Sequence, residues 1–184
     1  MPSSYQVNDT QRPIGEAVPD REGLGLPAQG FVFGAFNATY KITPDFFRCW
    51  MRLLQAVPDS VLWLITDNPS IRSHLWKEAG ACGVAPKRVV FAGRVPLAQH
   101  LARHRYVDIM LDNLPVNAHT TTSDALWAGV PVITCMGRAF AGRVAASLLH
   151  AVGLPELVTH SLSEYEALAL RLATQPVSYT HLRA

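Results

Sequence analysis

Five short apolar runs, each separated from the next by a helical pattern, constrain this chain more than any other feature. They lie at residues 31–36, 61–65, 88–91, 107–111 and 131–134. Val61-Leu62-Trp63-Leu64-Ile65 carries no polar side chain, which suits a strand covered on both faces rather than one facing water. The segments between the runs are of a different kind. Residues 44–56 start with Pro44 and set Phe46, Phe47, Trp50, Leu53 and Leu54 along one face, the pattern of an amphipathic helix with proline in its first turn. Further helices are predicted over 70–81, capped by Ser70, over 96–104, around 139–151 and over 163–173. Another should run from the threonine-rich stretch after His119 to Trp127. Strands alternating with helices across brief connections define the α/β class and a doubly wound parallel sheet. Such sheets bind ligands beyond the carboxyl ends of their strands, near the point where the strand order reverses. Lys41, residues 96–100 and residues 119–124 all follow strands, so they are predicted to meet along one edge. Trp50, Trp63 and Trp127 read as core, and Trp76 as only partly buried.

Length and composition narrow the class further. The 184 residues suffice for one domain with a real core, and a hydrophobic share of 49% argues against disorder. A net charge of +2 is too small to point to nucleic acid or a membrane surface. No apolar run is long enough to span a bilayer, and no basic-then-apolar leader stands at the start. Cys49, Cys82 and Cys135 are scattered and odd in number, without metal-ligand spacing. Buried thiols in a reducing cytoplasm are the expectation. Residues 1–30 are Pro-, Gly- and polar-rich without periodicity, and read as an irregular lead-in to a domain over 31–176.

The chemistry concentrates in one stretch. Asn117-Ala118-His119-Thr120-Thr121-Thr122-Ser123-Asp124 opens a helix that closes at Gly129-Val130-Pro131. The first turn of a helix has unpaired N–H groups and a partial positive charge, and neighbouring hydroxyls add donors, which together suit a phosphate. Ordinary capping by Thr120 or Thr121 accounts for the threonines equally well. Asp124, one turn further in, suits ribose hydroxyls or simply the helix dipole.

Five motifs in order carry a resemblance. Phe36-Asn37-Ala38-Thr39-Tyr40-Lys41-Ile42, Val61-Leu62-Trp63-Leu64, Asn117-Ala118-His119-Thr120-Thr121, Asp124-Ala125-Leu126-Trp127-Ala128-Gly129 and Arg143-Val144-Ala145-Ala146-Ser147 together resemble the C-terminal catalytic lobe of the O-GlcNAc transferases. The bacterial, tetratricopeptide-linked members are the most similar. The resemblance covers nearly the whole chain. It implies the Rossmann-like C-terminal lobe of an inverting GT-B glycosyltransferase, which moves N-acetylglucosamine from UDP-GlcNAc to Ser or Thr hydroxyls of proteins. It implies Lys41 as the catalytic residue that stabilises the departing UDP. His119, Thr120 and Thr121 would hold the diphosphate, Asp124 the ribose, and His100, Arg103 and the Val95 backbone the uracil. For Arg103 a solvated basic helix face, shared with His104 and Arg105, is the alternative. No metal or other cofactor is expected, because no Asp-x-Asp pattern is present and Lys41 with the helix N-terminus would supply the charge.

The resemblance also implies what lies elsewhere. The acceptor protein and the first lobe would be handled by N-terminal regions missing from this chain, so the chain alone should transfer little or no sugar. Residues 177–184, Val-Ser-Tyr-Thr-His-Leu-Arg-Ala, differ from the family's basic C-terminal helix. They read like a translated sequencing adapter and are expected to be non-native. Ala38, Leu97 and Gly142 depart from the family's usual amide, lysine and serine. His74, His104, His150 and His160 have no partner pattern, and solvated or structural roles are expected. Two rivals remain at this point: a GT-B enzyme with another UDP-sugar or acceptor, and a non-catalytic UDP-binding fragment.

Overall fold

A computed structural model describes residues 4–175; the expectation for residues 177–184 lies outside them. The chain forms β1 (Val32–Ala35), α1 (Pro44–Ala56), β2 (Val61–Ile65), α2 (Pro69–Ala81), β3 (Val89–Ala92) and α3 (Leu97–Arg103). It continues with β4 (Ile109–Leu111), α4 (Thr120–Trp127), β5 (Val132–Cys135), α5 (Val144–Ala151), β6 (Val158–Thr159) and α6 (Leu162–Thr174). All strand pairs are parallel, in the order β3-β2-β1-β4-β5-β6. The first half steps outward from β1, and the second starts again on its other side. The reversal therefore falls between β1 and β4, where Phe33 faces Ile109 and Gly34 faces Met110. This is the doubly wound sheet that the alternation predicts.

Helices cover the sheet. The buried stripe of α1 contains Phe46, Phe47, Trp50, Leu53 and Leu54, and α1 packs beside α6. Trp50 and Trp63 are fully buried, whereas Trp127 is 39% exposed. Trp127 is thus not core: its indole N–H donates to the Arg12 carbonyl at 3.2 Å on the surface of α4. Trp76 is partly covered as expected, and donates to the Val89 carbonyl at 2.8 Å. The cap of α2 is Asn68, whose Oδ1 accepts from the Ser70 N–H at 2.9 Å, with Pro69 in the first turn. Ser70 is therefore inside the helix and not its cap. The predicted helix over 139–151 splits into a 3-10 turn at Phe140–Gly142 and then α5. The two-residue β6 is too short to leave a periodic signal in the sequence. Among the described residues no helix is long and apolar enough to cross a membrane.

Gly34 lets β1 and β4 approach. A Cβ there would meet Met110 Sδ at 2.5 Å and Val107 Cγ1 at 2.8 Å. Both neighbours are buried, and Val107 is β-branched and stiff. Gly34→Ala is expected to destabilise the domain by about 2–3 kcal/mol, read as a lower urea midpoint. An unchanged midpoint would show that the β1–β4 spacing is slack.

Candidate functional site

The carboxyl ends of β1 and β4 converge on one buried carboxylate. Asp112 follows β4 and is 1% exposed. Its Oδ1 accepts from Asn37 Nδ2 beyond β1 at 3.1 Å and from the Ala118 N–H before α4 at 2.6 Å. Its Oδ2 accepts from Thr134 Oγ1 on β5 at 2.6 Å. Burial pushes this carboxyl up to about 6, against the pull of those donors. The backbone carbonyl of Asp112 accepts from Tyr165 on α6 at 2.8 Å. One residue thus ties three strands and two helices at the crevice. Two asparagines extend the network. Asn113 Nδ2 donates to the Lys41 carbonyl at 2.6 Å, and Asn117 Nδ2 to the Asn113 carbonyl at 3.0 Å.

That network positions Lys41. The residue ends a 3-10 turn, Thr39–Lys41, and its Nζ donates to the Asn117 carbonyl at 3.3 Å. The ammonium is thereby held two residues before His119. His119 is the N-cap position of α4 and makes no side-chain cap. Neither Thr120 nor Thr121 caps the helix, so the capping alternative does not describe them. Thr122 does hydrogen-bond locally, donating to the Ala118 carbonyl at 3.1 Å. A cation and an uncapped helix start therefore face one crevice, an arrangement suited to a phosphate. Asp124 lies one turn on and is 5% exposed. Burial raises its carboxyl above the usual range, and Arg12 opposes that.

The helix α3 packs against α4 and brings a ring cluster to the same edge. Arg103 Nε donates to His100 Nδ1 at 3.2 Å, and Nη1 to the Gly93 carbonyl at 2.9 Å. Arg103 is 3% exposed, so the solvated basic face does not describe it. His104 is also fully buried, its Nδ1 donating to the His100 carbonyl at 2.8 Å. Phe36 touches both imidazoles, with centroids 5.6 Å and 5.2 Å away. Burial holds His100 down to about 3 and His104 down to about 4, with the neighbouring cationic groups adding to the effect. Both are neutral rings at ordinary pH. Val95 is exposed in the loop before α3.

The lead-in segment also reaches this edge. Tyr5 Oη lies 2.7 Å from His119 Nδ1, Asn8 Oδ1 accepts from Ser123 Oγ at 2.5 Å, and Arg12 pairs with Asp124.

The family model described as Glycosyl transferase family 41 matches residues 5–184. The chain belongs to glycosyl transferase family 41. Among its relatives, the Caenorhabditis elegans UDP-N-acetylglucosamine--peptide N-acetylglucosaminyltransferase is 36% identical over 92% of this chain and 15% of its own length. A probable enzyme of that name from Arabidopsis thaliana is 37% identical over 94% of this chain and 18% of its own. The chain therefore spans less than a fifth of these relatives. An O-GlcNAc transferase mutant from Thermobaculum terrenum superposes with a TM-score of 0.81 at 37% identity, over 84% of this chain and 30% of that one. A UDP-GlcNAc 2-epimerase from Neisseria meningitidis, solved with UDP-GlcNAc, shares the fold alone, at 13% identity and a TM-score of 0.64 over 89% of this chain and 41% of that one.

Lys41 is thus placed near the start of α4 through Asn117, where His119, Thr120 and Thr121 lie, Asp124 follows within α4 against Arg12, and His100 and Arg103 lie on α3, which packs against α4. Sequence reading missed Asp112, Asn37, Asn113 and Asn117, which build the crevice. Asn37 and Asn117 stood in the family motifs but without a role, and Asp112 and Asn113 showed only as a polar pair directly after an apolar strand.

Proposed function

We propose that this chain is the nucleotide-sugar half of a protein O-GlcNAc transferase. The whole enzyme moves N-acetylglucosamine from UDP-GlcNAc to a Ser or Thr hydroxyl, with inversion and release of UDP. The observation that carries this reading is the placement of Lys41 beside the uncapped start of α4. As the glycosidic bond breaks, negative charge develops on the leaving diphosphate. A fixed ammonium and oriented N–H groups stabilise that charge without reorganising, so this lobe needs no metal for the step. His119, Thr120 and Thr121 take the diphosphate and Asp124 the ribose. His100, backed by Arg103, takes the uracil with the Val95 backbone.

The acceptor Ser or Thr and its activating base belong to regions outside this chain. The chain alone therefore binds UDP and transfers little or no sugar. Three free thiols support a reducing, cytoplasmic setting.

Calorimetry with UDP on the isolated chain tests the site. A saturable heat and a raised melting temperature are expected, and their absence at saturating UDP would remove the donor-binding reading. Donor hydrolysis by the full-length protein across a panel of UDP-sugars then tests the choice of N-acetylglucosamine.

A further inference from the structure

Residues 5–12 cross the start of α4 and set three polar side chains on its N-cap residue and on two residues within it. Tyr5 meets His119 at 2.7 Å, Asn8 accepts from Ser123 at 2.5 Å, and Arg12 is ion-paired with Asp124 Oδ1. The segment is also fixed from behind. Ser147 Oγ donates to Ser4 Oγ at 3.2 Å, the Tyr5 ring packs on Phe140 with centroids 4.9 Å apart, and the Arg12 guanidinium lies 5.4 Å from the Trp127 ring centroid. Trp127 Nε1 holds the Arg12 carbonyl as well.

Two roles are open to such a segment. It could be a strap that leaves when a nucleotide arrives, or a permanent wall of the site. The ion pair decides between them. Its side chains are only 10% and 8% exposed, and removing Arg12 would leave the Asp124 carboxylate buried without its counter-ion, a costly state. The pair engages one oxygen of Asp124. Among the described residues the other oxygen accepts no hydrogen bond, so it is open to a ligand hydroxyl while Arg12 stays in place.

His119 follows the same logic. Its Nε2 faces the Ala141 carbonyl at 3.4 Å, and a carbonyl can only accept. In the neutral ring Nε2 therefore carries the proton, Nδ1 accepts, and the Tyr5 hydroxyl donates to it. The Nε2–H bond to Ala141 is long and weak, so that N–H is available to a phosphate oxygen.

We infer that residues 5–12 are a fixed wall of the nucleotide site in which Tyr5 and Arg12 are positioning residues. Tyr5 sets His119 as an Nε2–H donor toward the diphosphate, and Arg12 orients Asp124 with one oxygen free for a ribose hydroxyl. This inference rests on the UDP-binding reading of the crevice.

The test titrates the 184-residue chain with UDP and with uridine, as wild type and as Arg12→Ala, Arg12→Lys and Tyr5→Phe. Arg12→Ala is expected to weaken both ligands about tenfold, the effect of one charge-assisted hydrogen bond, and Arg12→Lys to restore part of the loss. Tyr5→Phe should weaken UDP several-fold, leave uridine unchanged, and shift the imidazole nitrogen resonances of His119 away from the pure Nε2–H pattern. That spectral change would not follow from a merely structural role. A strap predicts the opposite sign, with both variants binding UDP more tightly. Wild-type binding with unchanged or tightened variants overturns this inference alone. A wild type that binds no UDP overturns it together with the donor-site reading.

Discussion

Replacing Lys41 with alanine in the full-length protein is expected to lower kcat by about 100- to 1,000-fold, with a much smaller change in UDP affinity. The asymmetry follows from when the ammonium matters. On the proposed reading, the ground-state diphosphate would also have the α4 N–H groups and the Thr120 and Thr121 hydroxyls, so losing one cation should weaken binding only modestly. In the transition state the scissile oxygen gains charge, and on the proposed reading it would do so beside Lys41, whose ammonium donates to the Asn117 carbonyl at 3.3 Å. An interaction that grows in the transition state appears in kcat rather than in ground-state affinity. Single-turnover transfer with UDP-GlcNAc measures the first quantity and UDP calorimetry the second. An unchanged kcat would remove Lys41 from the chemistry, and parallel tenfold losses in both would make it a binding residue only.

Asp112→Ala is expected to cost about 3–5 kcal/mol of stability and to abolish UDP binding in whatever fraction stays folded. Removing the carboxylate leaves three buried donors, Asn37 Nδ2, the Ala118 N–H and Thr134 Oγ1, without their acceptor. Part of the loss is offset, because a buried carboxylate also carries a desolvation cost, seen in its rise to about 6. The net still removes a large share of the stability of an ordinary domain. Asp112→Asn separates the contributions. It keeps the shape and one acceptor but turns an amide N–H₂ toward a donor, so it should fall between wild type and alanine in urea midpoint. Equal midpoints for all three would show that the carboxylate does not hold the crevice together.

How far the sequence alone reached depends on the range over which each signal acts. The central strands were legible because burial on both faces leaves a run such as Val61–Ile65 without polar positions. Helix α1 was legible because its proline start and apolar stripe lie within thirteen residues. The positions of Lys41 and of the start of α4 were legible from their place, one just past a strand and the other opening a helix before Gly129, whereas a role for Lys41 came only from the family resemblance, since by residue type it reads as a solvated lysine. Asp112 was not. A lone acid after a strand resembles any other, and its meaning comes from partners on β1, α4 and β5 that meet only in space. Tyr5 and Arg12 were hidden for the same reason, since their contacts on α4 lie 114 and 112 residues further along. Trp127 misled because a large aromatic usually signals core, and here its ring serves as a platform for Arg12.

The order of strands also dictates when the site comes into being. β1 finds β2 nearby in the chain, but its other neighbour, β4, lies further on: the Val32 N–H pairs with Asp108, 76 residues away. Contacts of such separation form slowly, because a long loop must close before they contribute. Without β4 one side of β1 would be an open edge, and Lys41, in the turn after β1, would lack the Asn117 carbonyl that holds it. The crevice is therefore expected to form late in folding, which pulsed hydrogen exchange on the β1 and β4 amides would check. A ligand that touches both Lys41 and α4 binds only the finished sheet, so UDP should slow unfolding of the β4–β6 half as well as fill its site.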